Sequence, residues 1–386
     1  MTSDAATDGR PTTLTLMASP AYRGWVLLLF LLISMFGFID RQVIGSLGQP
    51  IKASLHLTDR QFGLLAGLAF ALLNAILTIP IARIAERKRR LTIIGIGVFL
   101  WSIATCLCGL TANFVQLLVA RVAVGVGEAA STPATASVMA DYFPPNRRTS
   151  AAGLRRMIQR PAFIHVLMGS TVASMGGFGV NIFLAQYFFR RFGLGIGDSG
   201  LLSGLISAIP GSISMLGGGL LADWLGKKDP RFYAWTPGLG ALLAAPLYVL
   251  SFLQGSWPMA TVLLMLTGLM QYAYLPASIG VTANLMEPRM RATAAAVVGI
   301  MTNLIGAGVA PMIVGALSDH FASQAIGGRF AAVCTGAKAA ETAAAGACGQ
   351  ASAHGLQMAS MTFALVYLWA AVHFALAART IRKDMA

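Results

Sequence analysis

Charge is what this chain has little of. Only 11% of its 386 residues are Asp, Glu, Lys or Arg, against about 25% in an ordinary soluble domain. Acids are the scarcer sign, 14 against 28 bases, and 56% of the residues are hydrophobic. With a mean hydropathy of +0.70, the composition excludes a water-soluble globule and indicates an integral membrane protein. The four cysteines and five histidines show no zinc-ligand spacing. No glycine loop for phosphate and no nucleophile elbow is present. We therefore expect no catalytic residues, no bound metal and no cofactor. The net charge of +14 does not point to nucleic acid, because the bases cluster in short segments between apolar runs, where they set topology. The first 20 residues are polar and carry no cleavage pattern after a short apolar core. No cleavable signal peptide is expected, and the first apolar run serves as an anchor.

Long apolar runs are what the chain has. Ten reach the length of about 20 residues that a membrane helix needs: 22–48, 59–82, 92–111, 114–142, 162–189, 199–222, 232–253, 257–285, 292–318 and 356–379. Twenty of the 28 bases fall at the two ends of the chain or in the loops after the even-numbered runs up to the eighth. Six (Lys52, Arg60, Arg190, Arg191, Arg329 and Lys338) fall on the opposite side. This asymmetry predicts a multi-pass protein of the cell's inner membrane with both termini in the cytoplasm and the long loop 319–355 outside. Cys334 and Cys348 lie in that loop, where an oxidising compartment permits a disulfide. Cys106 and Cys108 lie in an apolar run and read as packing residues.

Four charges interrupt the runs. Asp40 and Arg41 stand within the first, and Arg121 and Glu128 within the fourth. A charge at the centre of a bilayer costs about 2.5–3.5 kcal/mol or more, so each must face a partner or a wet cavity. Arg121 and Glu128 are seven apart, close to two helical turns, and share a face. Asp40 sits about 12 Å below the outer end of its helix at 1.5 Å per residue. Arg121 lies at a similar depth in an antiparallel helix, so Asp40 can meet Arg121 and Arg41 can meet Glu128. One reading is proton coupling: a poorly solvated carboxylate binds a proton more readily, and an approaching Arg reverses that. The other is a static ion-pair cluster that locks helices together. Asn74, Asn181, Gln271 and Tyr274 either line a cavity or make interhelical hydrogen bonds. His165 and His373, each alone in its run, read as packing or interfacial residues.

The chain also repeats itself. Ala82-Arg83-Ile84-Ala85-Glu86-Arg87-Lys88-Arg89-Arg90 follows the second run, and Gly219-Leu220-Leu221-Ala222-Asp223-Trp224-Leu225-Gly226-Lys227-Lys228 follows the sixth. Each has a small residue, an acid four positions on, then a basic end. The fourth and eighth runs also end alike, at Phe143-Pro144-Pro145-Asn146-Arg147-Arg148 and Met286-Glu287-Pro288-Arg289-Met290-Arg291. Duplicated units of this kind are common in secondary transporters. After Arg291 the second copy continues into two further runs; after Arg148 the first does not.

These residues resemble the major facilitator superfamily. The loop signature stands at 82–90 and 219–228, with Ala82, Glu86 and Arg89 departing from the usual Gly, Asp and Gly. Arg121, Gly125 and Gly127 match its Arg-x-x-x-Gly-x-Gly pattern. Within it the chain resembles the bacterial spinster-like group, through Phe38-Ile39-Asp40-Arg41-Gln42, Gly125-Val126-Gly127-Glu128-Ala129 and Asp141-Tyr142-Phe143-Pro144-Pro145-Asn146-Arg147-Arg148. The resemblance implies an all-α integral membrane fold of two pseudo-repeat helical bundles. Ten transmembrane helices are expected in place of twelve, the fifth and sixth family helices being absent. It divides the chain into a tail 1–21, a four-helix bundle 22–153, a linker 154–161, a six-helix bundle 162–379 and a tail 380–386. It assigns gating to Glu86, Arg87, Arg90, Asp141, Gly219 and Asp223, and proton coupling and substrate engagement to Asp40, Arg41, Arg121 and Glu128. The implied activity is proton-coupled transport of an amphipathic lipid such as a lysophospholipid or sphingoid phosphate. The alternatives are transport of small organic anions or drug-like solutes, and a non-transporting membrane scaffold. The expected partners are that substrate, protons and membrane lipid.

Overall fold

The computed structural model describes residues 20–87, 90–141, 159–286, 291–328, 330, 334 and 345–385, and all regular structure among them is helical. Two compact units are distinguished, Met1–Arg41 and Gln42–Ala386. The first is the greater part of helix α1 (Pro20–Ser46). Its Trp25, Leu28, Leu29, Met35, Phe36 and Ile39 are exposed, the surface expected of a helix solvated by lipid.

In the second unit a short helix α2 (Gly48–Leu55) precedes α3 (Asp59–Gly63), which runs through a π-helical turn at Leu64–Leu68 into α4 (Ala69–Arg87). A capping box starts α3: the Thr58 hydroxyl accepts from the Gln61 backbone N–H, and the Gln61 carboxamide accepts from that of Thr58. Two donors that a helix start would otherwise orphan are thus satisfied. Helices α5 (Arg90–Cys108) and α6 (Phe114–Asp141) complete this part and pack against each other and, through α6, against α4.

The remaining helices are α7 (Pro161–Asn181), α8 (Leu184–Phe192), α9 (Ile196–Gly226), α10 (Phe232–Phe252), α11 (Trp257–Gln271), α12 (Tyr274–Leu285) and α13 (Arg291–Met301). A second π-helical segment, Thr302–Val309, leads into α14 (Ala310–Ala325), followed by α15 (Ala345–Ala364) and α16 (Val366–Met385). Their core is aromatic: Phe183, Tyr187, Phe188, Tyr248, Phe252, Phe363, Tyr367 and Phe374 form one buried cluster. Proline is tolerated within α4, α9 and α10 (Pro80, Pro210, Pro237 and Pro246), as neighbouring helices can satisfy the freed carbonyls. Gly193 ends α8 with φ +67°, donating its N–H to the Phe189 carbonyl, a left-handed cap that glycine adopts without a side-chain clash.

Among the described residues, seven helical stretches are long and apolar enough to cross a membrane: Asp59–Leu77, Pro161–Asn181, Ile196–Gly226, Phe232–Phe252, Trp257–Thr282, Val297–Ala325 and Gly346–Asp384. Thr92–Cys108 is a shorter apolar helix, and α1 and α6 have 27 and 28 residues. The protein is therefore a multi-pass membrane protein. Several boundaries differ from the sequence reading. The outer loop expected at 319–355 is narrower, since α14 continues to Ala325 and α15 begins at Ala345. The expected tail 380–386 is helical as far as Met385.

Candidate functional site

Helix α6 carries two of the four membrane charges. Arg121 is 3% exposed and Glu128 5%, so both are withdrawn from bulk solvent. The glycines between them explain how. A Cβ on Gly125 would lie 2.6 Å from the Phe70 carbonyl oxygen of α4, and one on Gly127 would lie 2.6 Å from the Trp101 nitrogen of α5. Only hydrogen side chains let α6 sit this close to both neighbours. The Arg121 guanidinium stands over the Phe70 ring, 5.5 Å from its centroid, an arrangement favoured by the ring's quadrupole. Asn74 follows Phe70 by one turn on α4 and is half-buried. The other two charges, Asp40 and Arg41, are half-buried at the end of the first unit.

Helices α7/α8 and α11/α12 were each read as one continuous run. Both are broken, at Ile182–Phe183 and at Tyr272–Ala273. The two breaks meet: Asn181 Nδ2 donates to the Tyr272 hydroxyl at 2.9 Å. Beside them Gln271 Oε1 accepts from the hydroxyls of Tyr248 (2.7 Å) and Tyr367 (2.6 Å), and Tyr274 is buried. Interrupted membrane helices that expose polar groups are the usual construction of transporter binding sites.

A polar cluster of a different kind joins the start of α3 to α8 and α14, and sequence reasoning missed it. Asp59 is 3% exposed. Arg190 grips its carboxylate in bidentate fashion, Nη1 to Oδ2 and Nη2 to Oδ1, both at 2.7 Å. Lys52 forms an ion pair with Oδ1, and Ser318 donates to Oδ2 at 2.7 Å. The Asp319 carboxylate accepts from the backbone N–H groups of Asp59 (3.0 Å) and Arg60 (2.8 Å), placing an anion at a helix N-terminus, where the backbone dipoles favour it. Arg190 also donates to Gln49 Oε1 (2.9 Å) and Gln186 Oε1 (2.6 Å). Two acids and two bases are balanced here. Lys52 nevertheless has its pKa lowered, first by burial and next by the charge of Arg190.

Close backbone packing supports the cluster. A Cβ on Gly315 of α14 would strike the Asp59 carbonyl, and one on Gly63 would strike that of Pro311. Gly67 faces the Gly308 carbonyl in the same way, and the two π-helical segments pack against each other here. π-bulges are rare and concentrate at functional sites.

The loop motifs are only partly in view. The side chains of Glu86, Arg87, Arg90 and Asp141, and the whole of Lys88 and Arg89, lie outside the described residues. Gly219 packs on Pro276, whose Cβ would be 3.2 Å from an added methyl. Asp223 accepts from the Tyr233 hydroxyl at 3.2 Å. At the same end, Arg382 donates to Asp229 through two bonds of 3.1 and 2.6 Å, and Asp384 caps α7 through the Ala162 N–H at 2.8 Å. Cys334 and Cys348 are joined by a disulfide with Cα atoms 5.5 Å apart.

The chain is similar to several known proteins. Residues 29–164 match the model of the Major Facilitator Superfamily. Over 367 residues the chain is 26% identical to an MFS-type efflux pump of Mycolicibacterium smegmatis, covering 77% of this chain and 85% of that protein. It is 29% identical over 170 residues to a probable sphingolipid transporter, spinster homolog 1, of Arabidopsis thaliana, covering 39% and 34% of the two chains. A probable L-galactonate transporter of Escherichia coli is 28% identical over 117 residues, 30% and 26% of the two chains. The crystal structure of a bacterial homologue of the human lysosomal transporter spinster, inward-facing and occupied, superposes with a TM-score of 0.83 at 29% identity, covering 95% of this chain and 99% of that one. Its unoccupied inward-facing counterpart gives 0.81 at 28% identity. The chain has the major facilitator fold of the solved bacterial spinster homologue, and its residues 29–164 match the superfamily's model.

Proposed function

We propose that this protein is a proton-coupled secondary transporter that moves an amphipathic lipid, such as a lysophospholipid or a sphingoid phosphate, by alternating access. The observation that carries the reading is the burial of Arg121 and Glu128 on one face of α6. A desolvated carboxylate has a proton affinity that depends on how closely a guanidinium carried by another, moving helix approaches it. A conformational change that alters the approach therefore moves protons. Asp40 and Arg41 belong to the same function: Arg41 or Arg121 would hold an anionic headgroup, and the acids would exchange the proton. The Asn181–Tyr272 pair at the two helix breaks supplies neutral hydrogen-bonding groups for the polar part of the substrate.

The Asp59 cluster supplies the lock. We place it on the outer face, since the charge asymmetry of the loops puts both termini in the cytoplasm. The solved spinster homologue is inward-facing, which supports reading this conformation as closed outside by Asp59, Arg190 and Asp319. Glu86, Arg87, Arg90, Asp141 and Asp223 would form the opposing lock on the cytoplasmic side.

A second reading is favoured by the relatives named for efflux and for L-galactonate: the substrate is a small organic anion or drug-like solute. Competition in proteoliposomes separates the two. If lipid is the substrate, a lysophospholipid blocks uptake of a labelled lysolipid and a water-soluble sugar acid does not, and Arg41→Ala weakens anionic over zwitterionic lipids. Displacement by the sugar acid alone would support the second reading. Absence of gradient-driven flux of either class in folded protein would refute transport.

A further inference from the structure

His165 of α7 and His373 of α16 are 208 residues apart in sequence, yet their Nδ1 atoms are 3.1 Å apart. The ring centroids are 5.4 Å apart and the rings are tilted by 40°. This is no accident of two mobile side chains, because the helices that carry them are fixed on both sides of the pair. One turn beyond His165, Gly169 leaves room for the ring of Phe374, the residue after His373; an added Cβ would lie 3.1 Å from that ring. Two turns further, Gly176 lies under Tyr367 in the same manner. At the other end Asp384 caps the start of α7 through the Ala162 N–H, and Arg160 donates to the Asp384 carbonyl at 2.9 Å. Trp369, one turn before His373, flanks its ring at 6.0 Å.

We propose that His165 and His373 form a binding site for a late first-row divalent transition metal, of the zinc, copper or nickel class, with both Nδ1 atoms as ligands. Metal–imidazole bonds of about 2.0–2.1 Å place two nitrogens about 2.9 Å apart at a right angle and about 3.3 Å apart at the tetrahedral angle. The observed 3.1 Å falls between these. Neutral imidazole nitrogen suits this class of metal, whereas magnesium and calcium prefer oxygen. Both rings are half-buried and not sealed, so an ion can enter. Among the described residues no group of three or more His, Cys, Asp or Glu side chains gathers to hold a metal. Among the described residues the two histidines are therefore the whole protein contribution, and water or an incoming donor completes the coordination shell. A hydrogen bond between the rings needs one Nδ1 to carry a proton; the metal site needs both lone pairs. A bound ion would staple α7 to α16.

The test uses the full chain in detergent, free of any affinity tag, with Cys106→Ser and Cys108→Ser to remove competing thiols. Cupric ion is added, unbound metal is removed, and the copper resonance spectrum is recorded. The expected result is one copper per chain with hyperfine structure from two imidazole nitrogens. His165→Gln and His373→Gln should each lose that signature while retaining the helical circular dichroism spectrum. Should either variant fail to fold, zinc protection of His165 and His373 against carbethoxylation, mapped by mass spectrometry in unsubstituted chain, gives the answer. Absence of retained copper, a two-nitrogen signature that survives in either folded variant, or unchanged carbethoxylation with zinc would each overturn the proposal.

Discussion

Asp59→Asn tests the lock at its centre. The wild-type carboxylate receives two bonds from Arg190, one from Ser318 and an ion pair from Lys52, at 3% exposure. Removing one partner of a buried pair costs roughly 3–5 kcal/mol, because the remaining charge stays buried without compensation. Here two bases would be left facing only Asp319. The lower end of that range applies, since Asn keeps one acceptor for Arg190 or Ser318 and Asp319 still contributes negative charge. A penalty of about 3 kcal/mol on the closed state is roughly a 100-fold shift toward any state in which these residues separate and become hydrated, at about 1.4 kcal/mol per tenfold. Spin labels at Arg60→Cys and Gln324→Cys report the separation directly. Both positions are exposed, on α3 and α14, two helices that pack together. In a Cys106→Ser, Cys108→Ser background, Asp59→Asn should populate a longer distance that wild type lacks. An unchanged distance distribution in variant protein that melts at the wild-type temperature would refute the lock.

Two further predictions concern packing and pH. Gly127→Val must push against the Trp101 backbone and should destabilise the protein by about 1–3 kcal/mol, the usual cost of overpacking. Gly95→Ala meets nothing within 4 Å and should leave the melting temperature unchanged or slightly raised; thermal melts in detergent compare them. At the far end, Arg382 and the Arg231 backbone N–H hold the Asp229 carboxyl below its usual pKa. A carboxylate with a depressed folded-state pKa contributes stability that is complete above the unfolded value near 4 and is lost as pH falls through the folded value. Asp229→Asn should therefore lower stability at neutral pH and flatten its decline below about pH 4; acid titration of the melting temperature measures the difference, and identical acid limbs would contradict it.

Hydropathy made the long helices legible, because a bilayer allows few alternatives to about 20 apolar residues in a helix. One break has a local sign: Pro276 has no N–H for the Tyr272 carbonyl four residues back, which interrupts the helix there. The break at Ile182–Phe183 contains no proline or glycine and was not legible; nor was the Asn181–Tyr272 bond that joins the two breaks, since it links distant parts of the chain. Arg121 and Glu128 were recognisable from composition alone, since a charge in an apolar run is costly wherever it lies. Asp59 escaped because it stands at the edge of its run and its partners, Arg190 and Ser318, lie 131 and 259 residues away. Lys52 and Arg190 were read only as topology signals. The single usable sign was a lone acid among the scarce acids, seven residues after a base. His165 and His373 were judged one at a time for the same reason: periodicity sees a helix face, not the helix it meets.

The central claim is that a buried carboxylate couples proton movement to transport. Flux of a labelled lysophospholipid into proteoliposomes under an imposed pH gradient, for wild type and Glu128→Gln, tests it most directly. Wild type should show gradient-dependent uptake and the variant gradient-independent exchange. Equal dependence on the gradient in both proteins would contradict it.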